Sequence, residues 1–445
     1  VHHNYRVFII NSAGAIINRA HLPCLNDDAA RERAMHLASY GQAVELWDGP
    51  RKIAIESQTA PGDVWLPSRR IASVDIVHDV AVAESVWRSL ETPDQCTPYQ
   101  RFDLLAAWQR HVGKRAGLLP FLVIARDDDN RPLGLLPLAL QTTIGVRCAT
   151  FMGGAHATFN MGLWDREFAA SATGADLHAL MNMLAARNEA DILVLRQQPA
   201  YWRELQNPLA LLPHEPSAAH CPVRTIERGA TEVNLISETV RRRLNRKERN
   251  LQAFAGYRYY IASNDADIAR LLDWFFRLKP ERLAQQKLPN IFAEPGVEQF
   301  IREACMTKLP GGSHLIDIHA LECDEEVLAI FAGVSNGDRC SMMFNTYTMS
   351  RKARCSPGLI LIRNMVDHFA AQNYRAFDFG IGSFDYKLVF CKDHEPIFDS
   401  FIPLSLRGRL MVGTVSALNG VKRLVKSNSA LHRFALNFRN HVLLK

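Results

Sequence analysis

The sequence lacks any apolar run long enough to cross a bilayer. LLPLAL at 135–140 falls far short of the roughly 20 residues such a helix needs. No succession of charged, apolar and small residues marks a secretory signal at its start. Together these absences make a cytoplasmic location the expectation. Cysteine is scarce and scattered: nine residues, at 24, 96, 148, 221, 305, 323, 340, 355 and 391. The number is odd, no C-x-x-C pair occurs and no His/Cys cluster has zinc spacing, so reduced thiols and no metal are expected. Basic residues barely outnumber acidic ones, 52 against 46, and a net charge of +6 does not by itself imply nucleic acid. No fixed-period repeat is present. Asp378-Phe379-Gly380 spells the metal-binding triplet of protein kinases. The glycine-rich loop, strand lysine and H-R-D loop that a kinase also needs are missing, which excludes that class.

What is present is an ordinary globular composition spread over 445 residues, enough for about three domains at about 150 residues each. Residues 1–57 read as a small α+β module. YRVFII is a strand, NDDAARERAMHLASYG a helix capped by Asn26 and stopped by Gly41, and QAVELW and RKIAIE pair across Asp48-Gly49-Pro50. Residues 58–72, rich in Pro, Gly and polar groups, read as a linker. Two larger units follow, 73–225 and 226–405, with a proline-containing crossover near 196–230. LVIARDDDNRPLGLLPL in the first loosely echoes IHALECDEEVLAIFAG in the second. RRRLNRKERNLQAF carries six basic residues and one acid on a helix with Leu244, Leu251 and Phe254 on one side. It is a solvated face or a surface for polyanions. The tail 406–445 has many Lys and Arg but no Asp or Glu. It is amphipathic at helical spacing, suited to packing on the second unit or to peripheral contact with an anionic membrane.

The segment 347–391 carries the most chemistry. It reads as strand, basic loop, helix, strand, polar loop. Apolar residues recur at helical spacing from Leu359 to Asn373. Pro357 suits the first turn, Ser356 an N-cap, and Gly358 a close approach to backbone. First-turn N–H groups lack partners within the helix, and that end favours an anion. Arg351, Lys352 and Arg354 add full charges just upstream, so the loop is a candidate phosphate cradle. The following DFGIGSFDYK loop offers polar groups beside it.

The succession SPG, helix, DFG-x-G, YK resembles the GNAT-fold acyltransferases of the CelD/BcsL type, also called BioF2-like acetyltransferases, relatives of the FemABX peptidyltransferases. The resemblance extends through TPYQRFDLLAAWQRHVG (97–113), FLVIARDDDNRPLGLLPLAL (121–140), FMGGAHATFNMGLW (151–164), RRRLNRKERNLQ (241–252), KPERLAQQKLPNIF (279–292) and HALECDEEVLAIFAGVSNGDRCSMMFNTYTMS (319–350). It covers about 73–405, while residues 1–57 resemble a small bacterial domain of unknown function. It implies an α/β fold of two tandem GNAT-like halves, mixed sheets flanked by helices, with acetyl-CoA or another acyl-CoA held by the second. The usual pyrophosphate loop is degenerate: RKARCSPG keeps its basic start and last glycine but has Cys355 and Pro357 between.

The implied reaction is transfer of an acyl group to an amine, or a hydroxyl, on a small molecule or polymer precursor. It needs a base for the amine, N–H donors for the oxyanion and a proton for the leaving thiolate. Asp378 or Asp385 is the candidate base and Tyr386 the acid or orienting hydroxyl. Lys387 is a candidate for phosphate or an acidic substrate group. Arg282, where the family has a basic residue, would anchor substrate, with Gly380 and Gly382 of the DFG-x-G loop beside it. Two other readings stand. A FemABX-like transferase would take its aminoacyl group from tRNA over the basic helix. A non-catalytic scaffold of an envelope-polysaccharide machine would explain the degenerate loop.

Overall fold

The computed structural model describes residues 3–10, 16–24, 27, 30, 31, 34, 43–49, 51–57, 70–92, 95–219, 221–226, 235–382, 385–391 and 393–412. The Asn26 cap, the Gly41 stop, Pro50, most of the 58–72 linker and the tail beyond 412 fall outside these residues.

Alternation drives the N-terminal module. Strands β1 (His3–Ile10), β2 (Ile16–Cys24), β3 (Ala43–Asp48) and β4 (Arg51–Ser57) form an antiparallel sheet in the order β2-β1-β3-β4. Tyr5 and Val7, two apart on β1, and Val44 and Leu46, two apart on β3, share one buried face. The helical residues Ala30 and Ala34, four apart, pack on it. Strand β2 was not expected, because Asn18, Arg19 and His21 break up its apolar pattern.

The first large sheet begins with β5 (Ser73–Val77). Helices α1 (Glu84–Leu90) and α2 (Phe102–Trp108) lead to β6 (Leu119–Arg126), β7 (Pro132–Thr143) and β8 (Val146–Phe151). Next come β9 (Leu163–Trp164), α3 (Arg166–Ser171), α4 (Gly174–Arg187) and β10 (Ile192–Pro199). A small hairpin of β11 (Tyr201–Trp202) and β12 (Leu205–Gln206) precedes β13 (Glu215–Pro216) and β14 (Cys221–Thr225). The second unit runs α5 (Glu238–Gln252), β15 (Arg258–Ile261), α6 (Asp265–Gln285) and α7 (Val297–Met306). It continues through β16 (Asp317–Cys323), β17 (Glu326–Ser335), β18 (Arg339–Tyr347), α8 (Pro357–Ala371) and β19 (Ala376–Asp378). It ends in α9 (Asp385–Leu388), β20 (Asp393–Glu395) and β21 (Ile397–Pro403).

The two sheets have one plan. The first is ordered β5-β6-β7-β8-β10-β21-β13 and the second β15-β16-β17-β18-β19-β14-β20. In each, four antiparallel strands meet a parallel neighbour, β10 beside β8 and β19 beside β18. In each, two helices sit between the first two strands, and helix lies in the crossover to the parallel strand. The fold is therefore α/β, two mixed sheets flanked by helices behind a small N-terminal module, as expected. The sheets also exchange strands. Cys221–Thr225 joins the second and Ile397–Pro403 joins the first, so a single cut at 225 does not separate them.

Local chemistry fits this plan. Buried on both faces, β6 and β7 are nearly continuous apolar runs. Pro137 lies within β7, between the residues that pair with β9 and those that pair with β8, where its missing N–H costs least. One apolar core spans the units, joining Trp87, Tyr99, Trp108 and Phe159 to Phe275, Phe300, Ile330 and Phe344. The Tyr99 hydroxyl donates to the Met342 carbonyl at 2.7 Å across that junction. No helix among the described residues is long and apolar enough to cross a membrane.

Candidate active site

Strands β18 and β19 pair only from Arg339–Ala376 to Ser341–Asp378. Then they part. β18 runs on to Tyr347, while the chain after Asp378 turns through Gly380 (φ +68) and Gly382 (φ +108) into α9. The Thr348 N–H bonds to Leu328 of β17, so strand alternation turns the N–H and C=O groups of residues 345 and 347 toward the opening. Two cations from α6 meet those carbonyls. Lys279 Nζ donates to Asn345 O and Arg282 Nη1 to Tyr347 O, both at 2.8 Å. The Arg282 guanidinium also stacks 3.3 Å from the centre of the Tyr347 ring.

A cavity of about 620 Å³ fills the opening, bounded by α6, the end of β18, the start of α8 and Tyr386. Among the described residues lining it are two cations and no carboxylate. Burial, reinforced by the Arg282 charge, pushes the Lys279 ammonium down to about 8. Burial raises the Tyr386 phenol above its ordinary value, and its hydroxyl accepts from the Asn345 amide at 3.3 Å. Thr346, 3% exposed, has a hydroxyl with no hydrogen-bond partner among the described residues. A buried hydroxyl in a cavity wall is costly unless something pairs with it.

The start of α8 differs from the textual N-cap expectation. Ser356 holds the N-cap position with φ +58 and makes no cap bond. Its hydroxyl instead accepts from Lys247 of α5 at 2.7 Å. Leu359 and Ile360 N–H groups turn back on the Ser356 carbonyl and Pro357 has none, which leaves Gly358 as the donor at the cavity edge. No acidic residue sits in the first turn. The corresponding helix of the first unit is closed. Thr173 and Asp176 form a capping box on α4, with an acid where an anion would bind. Of these two helix starts, that of α8 lacks an acid and borders the cavity.

The other expected residues are distributed unevenly. Arg282, Gly358, Ser356 and Tyr386 line the cavity. Asp378 does not act as a base there. It is fully buried, and accepts from Arg339 Nε at 3.0 Å, from the Ser341 hydroxyl and from the Gly380 N–H at 3.2 Å. Lys387 is 1% exposed, and its ammonium clamps the carbonyls of Gly380 (2.9 Å) and Ile381 (3.0 Å). It holds the turn rather than reaching a phosphate. Lys352 points to Glu325 and Glu326 (2.5 and 3.1 Å) and over the Phe254 ring, away from the cavity. Arg351 and Arg354 are exposed on the turn before α8, outside the cavity lining. Gly380 and Gly382 shape the turn, and a Cβ on Gly380 would meet Met342 Cε at 2.9 Å. The Asp385 side chain lies outside the description. Lys279, Asn345 and Thr346 were not anticipated. The one available signal was the i, i+3 spacing of Lys279 and Arg282, which puts both on one helix face.

Residues 238–388, from α5 to α9, match the family model described as an acetyltransferase (GNAT) domain. No curated protein matches the sequence. Among solved structures, a conserved protein of unknown function from Bacteroides thetaiotaomicron is similar at 11% identity, over 75% of this chain and 100% of that one, with a TM-score of 0.49. FemX is similar at 8% identity, over 73% and 96%, with a TM-score of 0.46. A tandem GNAT protein from the clavulanic acid biosynthesis pathway is similar at 9% identity, over 75% and 99%, with a TM-score of 0.38.

Proposed function

We propose that this chain is an acyltransferase of the CelD/BcsL type, taking an acyl group from acyl-CoA and passing it to an amine, or to a hydroxyl, on a small or polymer-precursor acceptor. The observation that carries the reading is the open N-terminus of α8, which faces a cavity lined by cations and free of carboxylates among the described residues. Such a lining suits a phosphate-bearing donor. The edge N–H groups of residues 345 and 347 suit a donor rich in amides. A bound thioester supplies an activated acyl carbon and a good leaving group. Residues of this chain do the rest. The Gly358 N–H and the helix end bind anionic oxygens. Lys279 and Arg282 hold the β18 edge rigid, so that its N–H groups can meet the oxyanion without reorganising. Tyr386, kept protonated by burial, hands its proton to the leaving sulfur. An acyl-CoA donor also accords with the cytoplasmic location expected.

A second reading has its own support. Arg243, Arg246 and Arg249 of α5 are exposed along an open cleft that also includes Arg241, Arg242 and Arg363. A transferase using aminoacyl-tRNA would lay phosphates there.

Thermal unfolding of the purified chain with excess acetyl-CoA tests the first reading. At about one hundred times the dissociation constant a ligand stabilises by about 2.7 kcal/mol, which shifts the midpoint by roughly 2–4 °C per kcal/mol. Gly358→Asp should abolish the shift. Its Cβ would lie 3.2 Å from the Tyr347 ring, and its carboxylate would oppose an anion at the helix end. Silence with acetyl-CoA and with longer acyl-CoAs would defeat this reading, and a shift with aminoacyl-tRNA instead would establish the second.

A further inference from the structure

A primary amine lines the cavity assigned to the acyl donor, and the transfer reaction uses its hydrogen bond to β18 but not its nucleophilicity. Lys279 Nζ sits 2.8 Å from the carbonyl of Asn345, whose side-chain amide holds the Tyr386 hydroxyl. The amine therefore stands at the same end of the cavity as the group that protonates the leaving sulfur. We propose that Lys279 is a self-acylation site: its amine takes the acyl group from the chain's own donor and so disables the cavity. This rests on the acyl-CoA reading above. The step balances without a further reactant. The Lys279 ammonium first releases one proton to solvent. The neutral nitrogen then bonds to the acyl carbon, the carbon–sulfur bond breaks, Tyr386 protonates the sulfur to free thiol, and the second proton lost from the nitrogen restores the Tyr386 hydroxyl. An amide is not a competent acyl donor to a second amine, so the event happens once per chain. It cancels one of the two cavity cations and fills space next to β18.

Geometry and basicity favour the step together. Burial pushes Lys279 down to about 8, which raises its neutral fraction at ordinary pH. Lys387 provides an internal control. Burial pushes it to about 8 as well, but its ammonium clamps two carbonyls and it does not line the cavity. If basicity alone decided, both would react. If placement decides, only Lys279 does.

The test is peptide mass spectrometry on the full chain after incubation with acetyl-CoA, with thermal unfolding run in parallel. One acetyl group should accumulate on the peptide bearing Lys279. Its rate should exceed that of the exposed Lys114 and Lys308 by at least about tenfold, the least that holding amine and thioester in one cavity would give. Lys387 should stay unmodified, and Lys279→Arg should lose the label. A melting shift with an unmodified Lys279 overturns the proposal and leaves the acyltransferase reading standing. Equal labelling of Lys279 and the exposed lysines also overturns it, as simple solution chemistry. No shift and no label defeats the reading on which it rests.

Discussion

Asp317 begins β16 in a cavity of about 520 Å³ lined also by Arg101, His314, Ser335 and Tyr374. Burial raises its carboxyl to about 6, with the Arg101 charge opposing. Unfolded, the same carboxyl titrates near ~3.9. Between these values the folded state binds more protons than the unfolded one, so this group's contribution to stability falls as pH rises from about 4 to about 6. Asp317→Asn should therefore stabilise the chain at pH 7 by about 1–2 kcal/mol. The gain should vanish near pH 4. Urea unfolding at the two values checks it, and a loss at pH 7 would show that the carboxylate has a partner worth more than its burial costs. The same residue scale is where the sequence was least informative. Asp378, Lys387 and Lys352 have the residue types that catalysis uses, and the loops were placed well. Type and spacing do not reveal burial, however, and burial turns the first two into structural groups. Lys279 went unnoticed because its role depends on the Asn345 carbonyl, 66 residues away.

Helices α5 and α8 show what one element does for another. Leu244 and Leu251 of α5 pack in the core cluster that also contains Ile360, Met365 and Phe369 of α8. Between them Arg363, 5% exposed, donates to Glu248 at 2.8 Å. The other oxygen of Glu248 accepts from the Tyr257 hydroxyl at 2.7 Å. Glu248→Ala would leave a buried guanidinium without its counter-charge, and should cost about 3 kcal/mol. A lowered denaturant midpoint would show it. Because Lys247 ties α5 to Ser356, the acetyl-CoA melting shift should shrink in the same variant. If stability is unchanged, the ion pair is dispensable and α5 is held by its apolar side alone. Most elements were legible. The helical periodicity of 359–373, the strand at 374–379 and the hairpin of 319–350 all rest on patterns a few residues long. The left-handed Ser356 was not, since its backbone is set by Lys247 and by the packing of Tyr347 against Gly358.

Across the whole molecule the exchanged strands matter most. Asp191, 2% exposed, accepts from the Arg147 N–H and guanidinium at 2.8 and 3.1 Å and from the Ser405 hydroxyl at 2.8 Å. The hydrogen bond from the Arg147 side chain, chief among these, holds its carboxyl well below the usual carboxylate range. That stabilisation is full above about pH 4 and is lost as acid protonates the group. Its backbone carbonyl receives the N–H groups of Leu404 and Ser405, so Asp191 fastens the end of β21 to the first sheet. Asp191→Asn should cost about 2–3 kcal/mol at neutral pH. Denaturant unfolding should record the loss, together with faster proteolysis of 404–412; an unchanged midpoint would mean that β21 holds by strand pairing alone. The exchange itself could not be read in the sequence. Each strand looks ordinary locally, and its partner lies far along the chain.

That separation has a consequence for biosynthesis. On the ribosome, β10 emerges well before β21, so one flank of β10 must wait, unpaired, while the whole second unit is made. Such an edge invites association with neighbouring chains. Closure then demands a long loop, which slows the final step. Translation speed and chaperone supply, rather than final stability, should therefore govern how much of this protein reaches its native form.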